Sequence, residues 1–271
     1  MIRFFLLCLV FSTTSNLSSQ SFLSVGSRSN ALANASVALS DCWAYHHNPG
    51  ALGAIVKPEI GVSYGNRFLL KELQNQGLVY VQPIKIGVIS FGAQLYGLDV
   101  YRASRIGAGY SLKLSDNLFV GVQMNYQRLH LSSNYGTKNS VTAEAGVYFK
   151  LNNEWKIGVS AFNLARAKLS LFENERSPTI MRLGAVYQFS KKALFAVEIE
   201  KNVNYFPRLK GAIEYIPGKN FYLRGGIATQ PIEFTFGFGY VFKVFQFDIG
   251  SSYQQVIGWS PHFSVAYKLK K

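Results

Sequence analysis

From Lys57 onward, hydrophobic and polar positions alternate with period two, the periodicity of a strand with one greasy side. In "IEFTFGFGYVF", Ile232, Phe234, Phe236, Phe238, Tyr240 and Phe242 share one face, and Glu233, Thr235, Gly237 and Gly239 share the other. "RLKGAIEY" sets Leu209, Gly211, Ile213 and Tyr215 against Arg208, Lys210, Ala212 and Glu214. "LFVGVQMNY", "VFQFDIGSSY" and "HFSVAYKLK" behave in the same way. The segments run to about ten residues, the length that crosses a bilayer when tilted. Aromatic residues recur near their ends at Tyr64, Tyr96, Phe149, Trp155, Phe189, Phe221 and Trp259, the placement of interfacial girdles.

The connections also alternate. Tight turns are read at Pro83 to Lys85, Ser115 to Asn117, Asn152 to Glu154, Ser190 to Lys192, Pro217 to Asn220 and Lys243. Longer connections are read at Arg67 to Asn75, Gly97 to Ala103, Ser132 to Lys138, Asn163 to Pro178, Lys201 to Pro207 and Gln254 to Pro261, with a short one near Thr229 to Pro231. A soluble sandwich also alternates, but it does not predict this rhythm. An all-β, transmembrane up-and-down antiparallel barrel of about 14 strands does. The barrel is read over residues 57–271.

Composition agrees with a lipid-facing β protein. Charged residues make up 15% and aromatic residues 15%, where charged residues reach about 25% in soluble domains. The net charge of +14 raises nucleic acid as a partner, but the basic residues are scattered and form no run longer than a pair such as Lys191-Lys192. Strand-end Lys and Arg meeting the phosphates of outer-membrane lipids is the simpler account. "MIRFFLLCLVF" followed by "STTSNLSSQ" has the charged start, short apolar run and small-residue exit of a secretory signal peptide, read over residues 1–20. Cys8 lies in that leader, which leaves Cys42 alone afterwards, so no intrachain disulfide framework is expected.

The opposite strand face carries charge at Glu144, Arg182, Glu198, Glu200, Arg208, Lys210, Glu214, Arg224 and Asp248. On the lipid side, Arg or Lys would cost about 2–4 kcal/mol each near the midplane. These residues are therefore candidate lumen-lining groups, forming either a solvated bore or a salt-bridge lattice.

Residues 21–56 lack the alternation and read as loop, short helix and turn, too small to fold alone. Asn48-Pro49-Gly50 is a turn signal. Tucked inside a barrel, the segment would bury its small residues and act as a plug. Its paired histidines, His46 and His47, are expected as polar groups at the wet mouth, because adjacent histidines point apart and chelate poorly. The other two, His130 and His262, fall on distant strands, so no metal site is expected.

"GSRSNALANASVALSDCWAYHHNPGAL" resembles the N-terminal signature of the FadL-like outer-membrane barrels, in particular their PorV/PorQ branch of Bacteroidetes type. The matching positions include Gly26, Arg28, Ala31, Leu32, Ala35, Asp41, Asn48, Pro49 and Leu52, with Gly50 in the corner. The sequence departs from the pattern where Asn-Pro-Ala-Gly becomes Asn-Pro-Gly-Ala and where Cys42 follows Asp41. The resemblance implies a lumenal plug in a bacterial outer-membrane barrel. On the PorV/PorQ side, to which the signature sits closer and which is the main expectation, it implies an accessory of type IX protein secretion or surface attachment, with secretion components or secreted cargo as partners. On the FadL side it implies, as the alternative, a channel for hydrophobic small molecules or fatty acids. A channel would need an apolar pocket between plug and wall, lined by residues such as Leu32, Val37, Leu39, Trp43 and Leu52. A plug packed without a void against Arg182, Arg208 and Arg224 would oppose passage of greasy molecules.

No phosphate loop, dinucleotide fingerprint or Gly-x-Ser-x-Gly element is present, and no cofactor is expected. His130 near Ser132 and Ser133 is the only hint of an outer-membrane lipid hydrolase. Glu173 and Glu175 with Arg166, Lys168 and Arg176 read as a solvated loop. The expected protein is not an enzyme.

Overall fold

A computed structural model describes residues 24–98, 101–131, 136–167 and 177–269. The leader with Cys8, the pair Ser132 and Ser133, and Lys168, Glu173, Glu175 and Arg176 lie outside the described residues.

The first strands are β1 (Glu59–Asn66), β2 (Gln74–Pro83), β3 (Val88–Leu98), β4 (Tyr101–Lys113) and β5 (Leu118–Leu131). Then come β6 (Gly136–Lys150), β7 (Trp155–Phe162), β8 (Ile180–Ser190), β9 (Ala193–Asn202) and β10 (Arg208–Tyr215). The last are β11 (Phe221–Ala228), β12 (Glu233–Phe242), β13 (Phe245–Gln254) and β14 (Gly258–Lys268). Each pairs antiparallel with its sequence neighbours, and β1 closes against β14 to make a 14-strand barrel. Closure satisfies every strand edge, the condition for a sheet to stand in hydrocarbon.

The period-two pattern sets which side faces out. Val122, Met124 and Tyr126 of β5 are exposed, while Gln123, Asn125 and Gln127 between them are buried. On β12, Phe234, Phe236, Phe238 and Tyr240 are likewise exposed. A continuous belt of exposed Phe, Tyr, Ile, Leu and Val is what a lipid-facing wall requires.

Before β1 come α1 (Ser27–Ala31), a 3-10 turn (Cys42–His46) and α2 (Pro49–Leu52). This stretch packs on the inward sides of the strands. One buried apolar cluster joins Leu32, Ala35, Ala38 and Leu39 to Val186, Leu194, Ala196 and Ala212 of β8–β10. A second joins Val25, Trp43, Tyr45, Leu52 and Ile55 to Val79, Val81, Val88, Phe119 and Tyr148.

Three sequence readings need correction. Tyr96 is not a girdle residue. It is buried at 7% relative exposure on the inward phase of β3, with its ring 6.1 Å edge-on to Tyr101. The connections read at Gly97 to Ala103 and Gln254 to Pro261 are shorter, because strands run through most of their residues, and β6 takes up Gly136 to Lys138 of the one read at Ser132 to Lys138. At the β4, β5 and β6 ends the outward side turns polar (Arg102, Arg128, Asn139), which erases the alternation without ending the strand. Asn48-Pro49-Gly50 starts a helix rather than a β-turn. The Asn48 side chain caps α2 by accepting from Gly50 N–H, and Pro49 takes the first helical position, where its missing donor costs nothing.

Candidate functional site

The site the residues build is the lumen and the segment it encloses. Gly26 opens the segment at φ 96°. A Cβ there would lie 2.6 Å from the Trp43 ring, so both backbone freedom and space call for glycine. Arg28 on α1 reaches two acids. Its Nε and Nη2 donate to both oxygens of Glu214 at 2.9 and 2.8 Å, and its Nη1 donates to Asp41 at 2.8 Å. The other oxygen of Asp41 accepts from Trp43 N–H at 2.9 Å, capping the 3-10 turn. One Arg and one Asp thereby fix the two ends of this fold-back to each other and to β10.

The wall continues the lattice. Glu214 also accepts from Arg224 Nε at 2.6 Å, and Arg224 Nη1 reaches Asp248 at 2.6 Å. Four residues earlier on β10, Lys210 Nζ donates to Glu198 at 2.7 Å, to Glu200 at 2.8 Å and to the Asn34 carbonyl at 3.2 Å. Arg182 lies 2.9 Å from Glu200. The second oxygen of Glu198 accepts from Ser36 and Val37 N–H, both at 2.8 Å. Arg208 pairs with Glu233 near the other end of the bore. Glu144 is bonded to Arg105 at 3.2 Å and Asn125 at 2.7 Å. All nine charges read as lumen-lining thus sit on the inward face and carry ionic partners. Desolvated charges persist only when paired and hydrogen-bonded in this way. This lattice pairs six bases with seven acids and is close to neutral.

His46 and His47 are not at a wet mouth. They are buried at 7% and 3% exposure. His46 Nδ1 accepts from Arg105 Nη2 at 2.9 Å. His47 Nε2 donates to the Val25 carbonyl at 3.0 Å, and its Nδ1 faces Arg182 at 3.3 Å. The two rings meet different parts of the wall and tie the segment to β4 and β8. Among the described residues, no three His, Cys, Asp or Glu side chains gather around a common point. His130 bonds Thr137 across the β5–β6 pair at 2.9 Å.

Sequence reading missed how closely the backbones approach. Gly121 and Gly146 face each other across β5 and β6. A Cβ on Gly121 would fall 2.4 Å from the Pro49 carbonyl oxygen, and one on Gly146 would fall 2.0 Å from Asn48 Oδ1. Gly158 and Gly184, paired across β7 and β8, leave the same space for Val37. Gly237 and Gly250, paired across β12 and β13, do so for Ala31. These glycines all fall on the polar phase of their strands, which was the signal available. Arg105, on the inward phase of β4, was missed as well.

Leu32, Val37, Leu39, Trp43 and Leu52 are all buried between segment and wall. Of the three arginines set against passage, Arg182 meets the segment at His47. Arg224 acts through Glu214, and Arg208 stands apart with Glu233.

No protein-family profile matches the chain, and no curated protein matches its sequence. Solved structures do match its shape. The toluene transporter TbuX of Ralstonia pickettii superposes with a TM-score of 0.68 at 12% identity, over 90% of this chain and 98% of the other. A FadL homologue of Pseudomonas aeruginosa gives 0.64 at 12% identity, over 92% and 99%. The toluene transporter TodX of Pseudomonas putida gives 0.63 at 14% identity, over 93% and 99%. The chain has the FadL-type barrel fold. At this identity the likeness concerns architecture, and the FadL-type neighbours named here are transporter or channel barrels rather than enzymes.

Proposed function

We propose that this FadL-type barrel is a non-enzymatic channel of the bacterial outer membrane for hydrophobic small molecules. In this reading residues 1–20 are its secretory leader, residues 21–56 its plug and 57–271 its barrel. The observation that carries the reading is the apolar seam between segment and wall. Leu32, Ala35 and Leu39 meet Val186, Leu194 and Ala212 along one arc, and Trp43 and Leu52 lie among Val79, Val81 and Phe119 along another. The seams are closed as the segment is seated here, so a greasy solute crossing the bore would need the plug to shift and open a pocket along them. The toluene transporters that share the fold support the same class of solute. The reading is tested by expressing the chain in an outer membrane and following entry of a monoaromatic tracer. Faster entry than with an empty-vector control is expected, and entry equal to that control would reject it.

A second reading has an observation of its own. The segment is seated on glycines that leave no slack and is tied by Arg28 and Glu198, an arrangement that favours a closed barrel working through its surfaces. This is the PorV/PorQ-like role, an accessory of type IX secretion or surface attachment. Co-purification from native membranes separates the two, since secretion components or cargo support this role and a bound lipophile supports the channel.

A further inference from the structure

The barrel wall is not of even height. β5 has 14 residues and β6 has 15, whereas β10 and β11 have 8 each. A strand rises about 3.3 Å per residue, so at a tilt of about 40° each residue adds about 2.5 Å along the membrane normal. The tall wall then stands about 35 Å high and the low wall about 20 Å, against an apolar band of about 25 Å. The low wall is too short to cross the band.

The shortfall falls at the end opposite the tight turns. At the turn end, Tyr215, Phe221, Tyr240 and Phe245 form an exposed aromatic row with Lys219 and Lys243 beyond it, which sets the interface level there. At the other end, the connections that flank β10 and β11 are 203–207 and 229–232, and neither contains a charged residue. They present Phe206 at 77% and Ile232 at 61% exposure, with Val203 and Tyr205 also exposed. Of the cations beside them, Arg208 turns inward to Glu233 and Lys201 folds its ammonium back onto the Tyr205 carbonyl. On the tall side, the outward positions beyond Tyr126 and Val141 are Arg128, His130, Asn139 and Thr137, all exposed and polar.

We propose that these two low-side loops are sunk in the acyl region of the loop-side leaflet, while the ends of β4–β6 project into water. The mouth of the lumen then slopes, one lip in water and the other in lipid. Acyl chains are the occupant because they supply the missing few ångströms of hydrocarbon at the height where the strands stop. Depth is read independently of transport, so the inference stands or falls apart from the channel reading.

The test places a fluorophore at Phe206→Cys, Ile232→Cys or Asn139→Cys in a Cys42→Ala chain lacking the leader with Cys8, reconstituted in phosphatidylcholine vesicles. Folding is checked by heat-modifiable migration on gels. Doxyl-labelled lipid is expected to quench the probes at 206 and 232 at least threefold more than the probe at 139, and aqueous iodide is expected to show the reverse order. Iodide quenching at 206 and 232 equal to that at 139 would overturn the inference. Protection of those probes from both quenchers would also overturn it, assigning the surface to a protein or a second copy of this chain.

Discussion

Gly146→Ala is a one-methyl test of how the N-terminal segment is seated. The new Cβ would lie 2.0 Å from Asn48 Oδ1, against about 3.4 Å for ordinary contact. The Asn48 side chain cannot simply swing away. It accepts from Gly50 N–H at 3.0 Å and donates to the Val37 and Val147 carbonyls at 2.7 and 3.0 Å. Forfeiting three buried hydrogen bonds at about 1 kcal/mol each, with an overpacking cost of about 1–3 kcal/mol, gives a loss of about 4–6 kcal/mol. Asn48→Ala removes the bonds without the clash and should lose about 2–3 kcal/mol. The double variant should lose only a little more than Asn48→Ala alone, since the remaining neighbour, Gly50 N, stands 3.0 Å away and has to give by only a few tenths of an ångström. The cycle therefore predicts a coupling of about 2 kcal/mol or more. Urea titration in lipid micelles, followed by fluorescence of Trp43, reads all four proteins. Additive losses, or a Gly146→Ala variant within about 0.5 kcal/mol of the parent, would refute the seating argument.

Arg28→Gln leaves Glu214 and Asp41 without their shared cation. It should lose about 3 kcal/mol, the lower end for a broken buried pair because Arg28 keeps 17% side-chain exposure. Limited proteolysis should then reach the segment sooner, and adding Glu214→Gln should restore part of the resistance. Phe236→Arg, on the lipid side of β12, should lose about 2–4 kcal/mol in the same titration, and no loss would place that side in water. Thr235→Val on the next residue should lose about 1–2 kcal/mol, because its hydroxyl bridges the Ala31 carbonyl and Ala33 N–H.

The barrel was legible because hydrocarbon imposes a rule on every second residue. Phe234 to Phe242 could be assigned to one face with no knowledge of the neighbouring strand. The inward charges were legible for the same reason, since Arg224 or Glu198 on the lipid side would be prohibitively costly. Their pairing was not legible, because Arg28 meets Glu214 across 186 positions and nothing local announces it. The histidines misled because a wet mouth was assumed. Their acceptor nitrogens instead serve Arg105 and Arg182, whose positions depend on register. The loop lengths misled where tall strands leave the membrane, since a strand in water on its outer side no longer alternates. Family resemblance reached the architecture but not the branch, because the residues that match it, such as Asn48 and Pro49, shape the segment rather than any contact with a ligand or partner.

The account rests on residues 24–56 being lodged within a closed barrel, and Cys42 reports on that directly. Its thiol is buried at 1% exposure, against β1 at Gly61. A chain lacking the leader, folded in detergent, is treated with a small maleimide and the adduct counted by mass spectrometry. The account predicts no label in the folded protein and one label after heating in denaturant. Stoichiometric labelling of the folded barrel would contradict it.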